Sequence, residues 1–173
     1  MRVNIETDRL IVRNLGLSDL EAVYEWAGDP EVARYMIYPQ YTCVEDGIEW
    51  LRGREESVDN PDDYDLGIVL KETGKLIGGG GLTYHPEDDV WVIGYNLRKD
   101  QWGHGYIVEA MNGIMAEIRK TRRIKAIEGT FAVDNYKSQR VMEKLGMSFY
   151  KDTECEKFDK SAHFQAKLYR REF

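Results

Sequence analysis

The stretch "LRKDQWGHGYIVEAM", residues 97–111, sets two glycines, Gly103 and Gly105, between a short polar segment and a run of helical periodicity. Each glycine costs backbone entropy on folding, so a pair at this spacing needs a reason. A glycine loop at a helix entrance lets the backbone approach a ligand closely. The helix start also presents unpaired N–H groups and a positive dipole end to an anion. The ligand class this predicts is a phosphate compound.

Downstream of the loop, Ile107, Ala110, Met111, Ile114, Met115 and Ile118 recur at i, i+3, i+4, i+7, i+8 and i+11, which predicts a helix over 105–120 with a basic end from Arg119 to Arg123. Apolar runs over 90–97 and 124–133 flank it as strands. Strand, helix and strand in succession make one βαβ unit, hence one parallel strand pair. Upstream, 66–70 and 76–82 read as a hairpin around Glu72-Thr73-Gly74-Lys75, and Pro86-Glu87-Asp88-Asp89 turns the chain into 90–97. These pairings are antiparallel.

The first third reads as a strand over 2–13 followed by helices. Ser18 with Glu21, and Thr42 with Glu45, fit the capping-box spacing, and Pro30 suits a first helical turn. A helix from Asn135 ends at Gly146, and strands over 149–156 and 162–169 close the chain. With no repeat or linker, the expectation is one domain over 1–173 of mixed α+β class, with a mostly antiparallel seven-stranded sheet and helices on both faces.

Composition narrows the function. A chain of 173 residues with 42% hydrophobic and 32% charged residues is ordinary for a globular domain. Its apolar runs are too short to span a bilayer and its first residues form no signal peptide, so the expectation is a cytoplasmic protein with no membrane partner. A net charge of −7 argues against nucleic acid. Cys43 and Cys155 are far apart and outside any metal-binding spacing, so no metal is expected.

As a motif the loop is incomplete. Val108 stands where the dinucleotide fingerprint has Gly or Ala, and no P-loop sequence occurs. A tight strand-to-helix turn with no ligand would use the same glycines. Asn135 and Ser138 are equally consistent with plain helix capping.

Three segments in order, "ETDRLIVRNL" (6–15, with Thr7, Arg9, Leu10 and Arg13), "IGYNLRKDQWGHGYIVEAM" (93–111) and "NYKSQRVMEKLGM" (135–147), resemble the GCN5-related N-acetyltransferases, in the branch similar to the ribosomal-protein alanine acetyltransferases. The resemblance covers most of the chain. It implies that acetyl-coenzyme A lies between splayed parallel strands 90–97 and 124–133. The pantetheine arm would pair with backbone at Asn96, Leu97 and Arg98, and the pyrophosphate would sit on Gln101, Trp102, Gly103, His104, Gly105 and Tyr106. Asn135 and Ser138 would face the pantetheine and the sulfur, with Ser138 as the proton donor to the departing thiolate. The chain departs from the family at Asp100, an acid where Arg or Gln is usual, and at Val92, where many relatives carry a glutamate base.

Acetyl transfer to an amine needs a neutral nucleophile, a polarised thioester and a proton for the thiolate. An α-amine titrates near ~7.7–8.0 and lysine near ~10.4, so the first needs far less help from a base. With Val92 unable to act, Glu128 in "IKAIEGTF" is the replacement base; the plainer alternative is a Lys or Arg partner. The acceptor is a primary amine, either a protein N-terminus or a small molecule. It would be met by residues 18–55 and the loop 84–89, through Tyr38, Tyr41, Tyr84, His85, Glu87, Asp88 and Asp89. The sequence leaves both a monomer and a homodimer open. A non-catalytic acyl-coenzyme A binding module competes with the enzyme through the missing glutamate, and a nucleotide-dependent oxidoreductase is disfavoured by Val108.

Overall fold

The computed structural model describes residues 3–173; Arg2, where the predicted first strand begins, lies outside the described residues. Among the described residues one eight-stranded sheet runs in the order β1-β2-β3-β4-β5-β6-β8-β7, antiparallel except for β5 and β6. Its strands are β1 (Asn4–Glu6), β2 (Leu10–Arg13), β3 (Leu66–Leu70), β4 (Lys75–His85), β5 (Val90–Leu97), β6 (Ala126–Ala132), β7 (Ser148–Glu156) and β8 (His163–Glu172). Seven strands were expected. The eighth arises because 2–13 folds back on itself, Ile5 pairing Val12 around a turn at Thr7–Arg9 that contains neither glycine nor proline.

Helices cover both faces. α1 (Leu20–Ala27), α2 (Pro30–Ala33) and α3 (Ile48–Glu56) bury Val23, Trp26, Val32 and Leu51 with Leu15, Val69 and Leu76 on one face. α4 (Tyr106–Ile118) and α5 (Tyr136–Lys144) cover the other, where all six apolar positions of the α4 stripe are buried. The period of that stripe is thus the face it packs.

The helix ends follow side-chain chemistry, shifted from the predicted boxes. Asp19, not Glu21, accepts from the Gly16 N–H at 3.1 Å. Asp46, not Glu45, accepts from the N–H of Thr42 at 2.7 Å and of Cys43 at 3.3 Å. Asp29 caps α2, with Pro30 at its first position. Gly146, at φ +77°, ends α5 with the Met147 N–H on the Met142 carbonyl at 3.0 Å, the paired-bond cap that favours glycine.

Candidate active site

The parallel pair comes apart. β5 and β6 match only at Trp91–Ile127 and Val92–Glu128; beyond, β5 stays on β4 to Leu97 and β6 stays on β8 to Ala132. Their facing edges diverge from Ile93 and Gly129 onward. Where the split opens, a Cβ on Gly129 would lie 2.6 Å from both Ile93 and Met142, so the glycine lets these two side chains pack directly on the β6 backbone. On the opposite face, a Cβ on Gly94 would meet nothing within 4 Å, and the floor of the split is open there.

The alternation of an antiparallel ladder decides which backbone groups face this split. The Arg98 N–H bonds the Ile77 carbonyl on β4 at 2.8 Å, so Arg98 and Asn96 turn their backbone groups toward β4. Leu97 and Tyr95 turn theirs outward. Of the three positions expected to pair with pantetheine, only Leu97 points there. Its carbonyl accepts from the Trp102 indole at 2.9 Å, fixing the start of the loop.

After a 3₁₀ turn at Lys99–Gln101 the loop passes Gly103 at φ +82° and Gly105 at φ +78°, both in the left-handed region. Gly105 is the N-cap of α4 and no side chain caps the helix, so the first-turn N–H groups keep no side-chain partner. The Asp100 carboxylate does not stand free beside them. Arg98 holds it through two bonds at 3.0 and 3.1 Å and also pairs Glu25. Lys99 pairs Glu31 at 2.5 Å. These contacts tie the loop to α1 and α2 and neutralise the acid that departs from the family pattern. The His104 side chain is exposed, with Tyr106 beside it at 5.4 Å between ring centroids.

Across the split, Asn135 caps α5 by accepting from the Ser138 N–H at 3.3 Å. The Ser138 hydroxyl is therefore not needed for the cap. It lies 2.7 Å from the Tyr95 hydroxyl, which reaches over from β5 and also stands 3.2 Å from the Ser138 carbonyl. Burial pushes the Tyr95 phenol up to about 12, with the Ser138 contact opposing, so at neutral pH it keeps its proton. The sequence reading missed Tyr95, because nothing local marks one strand tyrosine as the partner of a helix serine 43 residues away.

On the open face two carboxylates are paired. Glu128 accepts from Arg170, its register partner on β8, at 2.7 Å, with both side chains less than a fifth exposed. Glu128→Gln is accordingly expected to cost about 1–2 kcal/mol, seen as a melting temperature lower by about 3–6 °C. A folded variant whose kcat drops more than about tenfold returns the base role to Glu128. Asp65, which the sequence reading also missed, is pushed up to about 6 by burial, opposed by Arg54 at 3.3 Å and reinforced by Asp63.

The residues expected to meet the acceptor fall into two groups. Loop 86–89 sits at the closed end of β5, where Asp89 holds the Tyr84 hydroxyl at 2.9 Å and Lys125 at 3.3 Å, and Glu87 pairs His85 at 3.1 Å. Tyr38 and Tyr41 lie with the α1–α3 cluster instead, and the Tyr38 hydroxyl is buried without a partner. The β7–β8 hairpin closes over that side: the Lys157 ammonium bonds the carbonyls of Ala33, Met36 and Tyr38 at 2.6, 2.8 and 3.1 Å. Among the described residues no cluster of His, Cys, Asp or Glu is placed to hold a metal ion, and no helix is long and apolar enough to cross a membrane.

Known proteins match this chain in sequence and in fold. The family model described as an acetyltransferase (GNAT) domain matches residues 9–148. The "uncharacterized N-acetyltransferase p20" of Bacillus licheniformis is 25% identical over 156 residues, covering 90% of this chain and 86% of its own length. The ribosomal-protein-S5-alanine acetyltransferase of Vibrio fischeri superposes with a TM-score of 0.81 at 18% identity, over 98% of this chain and 96% of that one. The microcin C7 self-immunity acetyltransferase MccE, solved with acetyl-CoA and AMP, also gives 0.81 at 18% identity, over 96% and 94%.

Proposed function

The chain belongs to the GNAT acetyltransferase family, and from that premise we propose that it moves an acetyl group from acetyl-CoA to a primary amine by direct attack. The observation that carries this reading is the split between β5 and β6, bordered by the glycine loop at the α4 N-terminus and by the Tyr95–Ser138 pair. Acetyl-CoA is a substrate here, and it supplies the activated thioester. The first-turn N–H groups of α4 and the left-handed glycines suit its diphosphate. Leu97 and Tyr95 offer backbone groups to an extended arm. The acceptor approaches from the open face at Gly94, where no side chain blocks the floor.

The residues nearest the leaving sulfur are Ser138 and Tyr95, and they handle its proton. Among the described residues, the carboxylates placed on the open face are held by arginine, Glu128 by Arg170 and Asp65 by the Arg54 it shares with Asp63, so neither is a free base. That pairing favours an α-amine, such as a protein N-terminus, over a lysine side chain, because the α-amine is partly neutral near pH 8 without a base. The same absence favours a second reading, a module that binds acyl-CoA without turning it over. A thiol-release assay with acetyl-CoA and a panel of peptide N-termini, amino acids and polyamines separates the two. Thiol release that depends on an amine is expected; tight binding of acetyl-CoA with no release under any amine leaves the binding module.

A further inference from the structure

The loop is gripped from the far end of the chain. Arg9, in the turn between β1 and β2, donates from Nη1 to the His104 carbonyl at 2.8 Å, 95 residues away in sequence. Its guanidinium also lies 4.6 Å over the Tyr106 ring. Glu109, in the first turn of α4, holds it in place by accepting from the Arg9 Nε at 2.6 Å, from the Arg9 N–H at 2.8 Å and from the Thr7 hydroxyl at 2.6 Å. Gly113 explains how the turn comes so near: a Cβ there would sit 3.0 Å from Thr7, so the bare helix face lets β1–β2 dock on α4. A glycine inside a helix costs about 1 kcal/mol relative to alanine, and close approach is what offsets it.

The other cations around the loop are engaged. Arg98 is shared between Glu25 and Asp100, and Lys99 holds Glu31. Lys137 sets its ammonium over the Trp102 ring at 3.9 Å. Arg9 is different. With Nε and one edge of Nη1 fixed, its Nη2 donates to no acceptor among the described residues; it lies 3.7 Å from where a Gly105 Cβ would be, and the side chain is 46% exposed. A guanidinium presents five N–H groups in a rigid fork, so it can grip a carbonyl and a carboxylate while offering the rest to an anion.

We propose that Arg9 is a cofactor-binding residue, which holds the His104 carbonyl within the loop and presents its free Nη2 to the diphosphate of acetyl-CoA. This rests on the acetyltransferase reading above. The test compares two acetyl donors that share the thioester and the pantetheine arm, acetyl-CoA and S-acetylpantetheine, the second of which has no phosphates. For Arg9→Gln, kcat/KM with acetyl-CoA should fall about tenfold, as for one charge-assisted hydrogen bond, and that with S-acetylpantetheine should stay within about twofold. Arg9→Lys, which keeps the charge but cannot bridge Glu109 and His104, should show the same selective loss at about threefold and serves if the glutamine variant does not fold. Equal losses with both donors assign Arg9 to scaffolding and overturn the proposal, as does an unchanged ratio. If the wild-type protein releases thiol from neither donor, the acetyltransferase reading falls first and this one with it.

Discussion

Gly105→Val is expected to raise the dissociation constant for acetyl-CoA by at least about tenfold, measured by titration calorimetry on the folded variant. The cause lies in the backbone. Gly105 sits at φ +78°, where a β-branched residue is a true outlier, and holding it there costs about 1–2 kcal/mol. Packing does not oppose the new side chain, because the nearest atom to the added Cβ, the Arg9 Nη2, is at 3.7 Å, an ordinary contact. The loop therefore relaxes toward negative φ, and the N–H groups at the α4 entrance turn away from the position a diphosphate would take. Gly74 supplies the control. It has φ +68° in the β3–β4 hairpin and open space around its missing Cβ, so Gly74→Val carries similar strain far from the split. Both variants should melt lower, and only Gly105→Val should lose acetyl-CoA. A Gly105→Val protein that binds as tightly as the wild type would remove the diphosphate from this loop.

The parts of the fold visible in the sequence are those whose signals are local. The α4 stripe and the strands on either side of it come from periodicity, and Gly146 announces its own cap. The turn at Thr7–Arg9 was hidden because its conformation is held from outside: Lys71 donates to the Thr7 carbonyl at 2.6 Å, and Glu109 supplies the rest. The misplaced capping boxes differ from the true ones by a residue or two, which a spacing rule cannot resolve when Asp19 stands beside Ser18 and Asp46 beside Glu45. In the site, the glycine loop is legible because left-handed backbone demands a residue type. The Tyr95–Ser138 and Arg9–Glu109 contacts are not, since they join residues 43 and 100 apart whose types are ordinary in a strand, a turn or a helix. Asp100 shows the same limit: taken alone it opposes an anion, and only its bonds to Arg98 remove the conflict.

Ser138→Ala is expected to lower kcat about tenfold while the KM for acetyl-CoA and the melting temperature change little. The modest size follows from the leaving group. A thiol with a pKa near ~8.5 departs more readily than an alkoxide, so a donor that stabilises it contributes less than acid catalysis usually does. The unchanged stability follows from the cap: the Ser138 N–H bonds the Asn135 side chain, and that bond survives the loss of the hydroxyl. Tyr95 extends the prediction. Because burial keeps its phenol protonated and it lies 2.7 Å from the Ser138 oxygen, it can donate a hydrogen bond to Ser138 as the Ser138 proton moves to the sulfur; the pair is then one proton short until the proton given up by the acylated amine replaces it through solvent. Tyr95→Phe should then slow turnover in the same direction, and the double variant should be no slower than the slower single one, as for two groups that act as a unit. Multiplying effects would mean that the two residues act separately. A Ser138→Ala enzyme with the wild-type kcat from pH 6 to 9 would show that the thiolate leaves unaided, and the hydrogen bond to Tyr95 would then serve only to join α5 to β5.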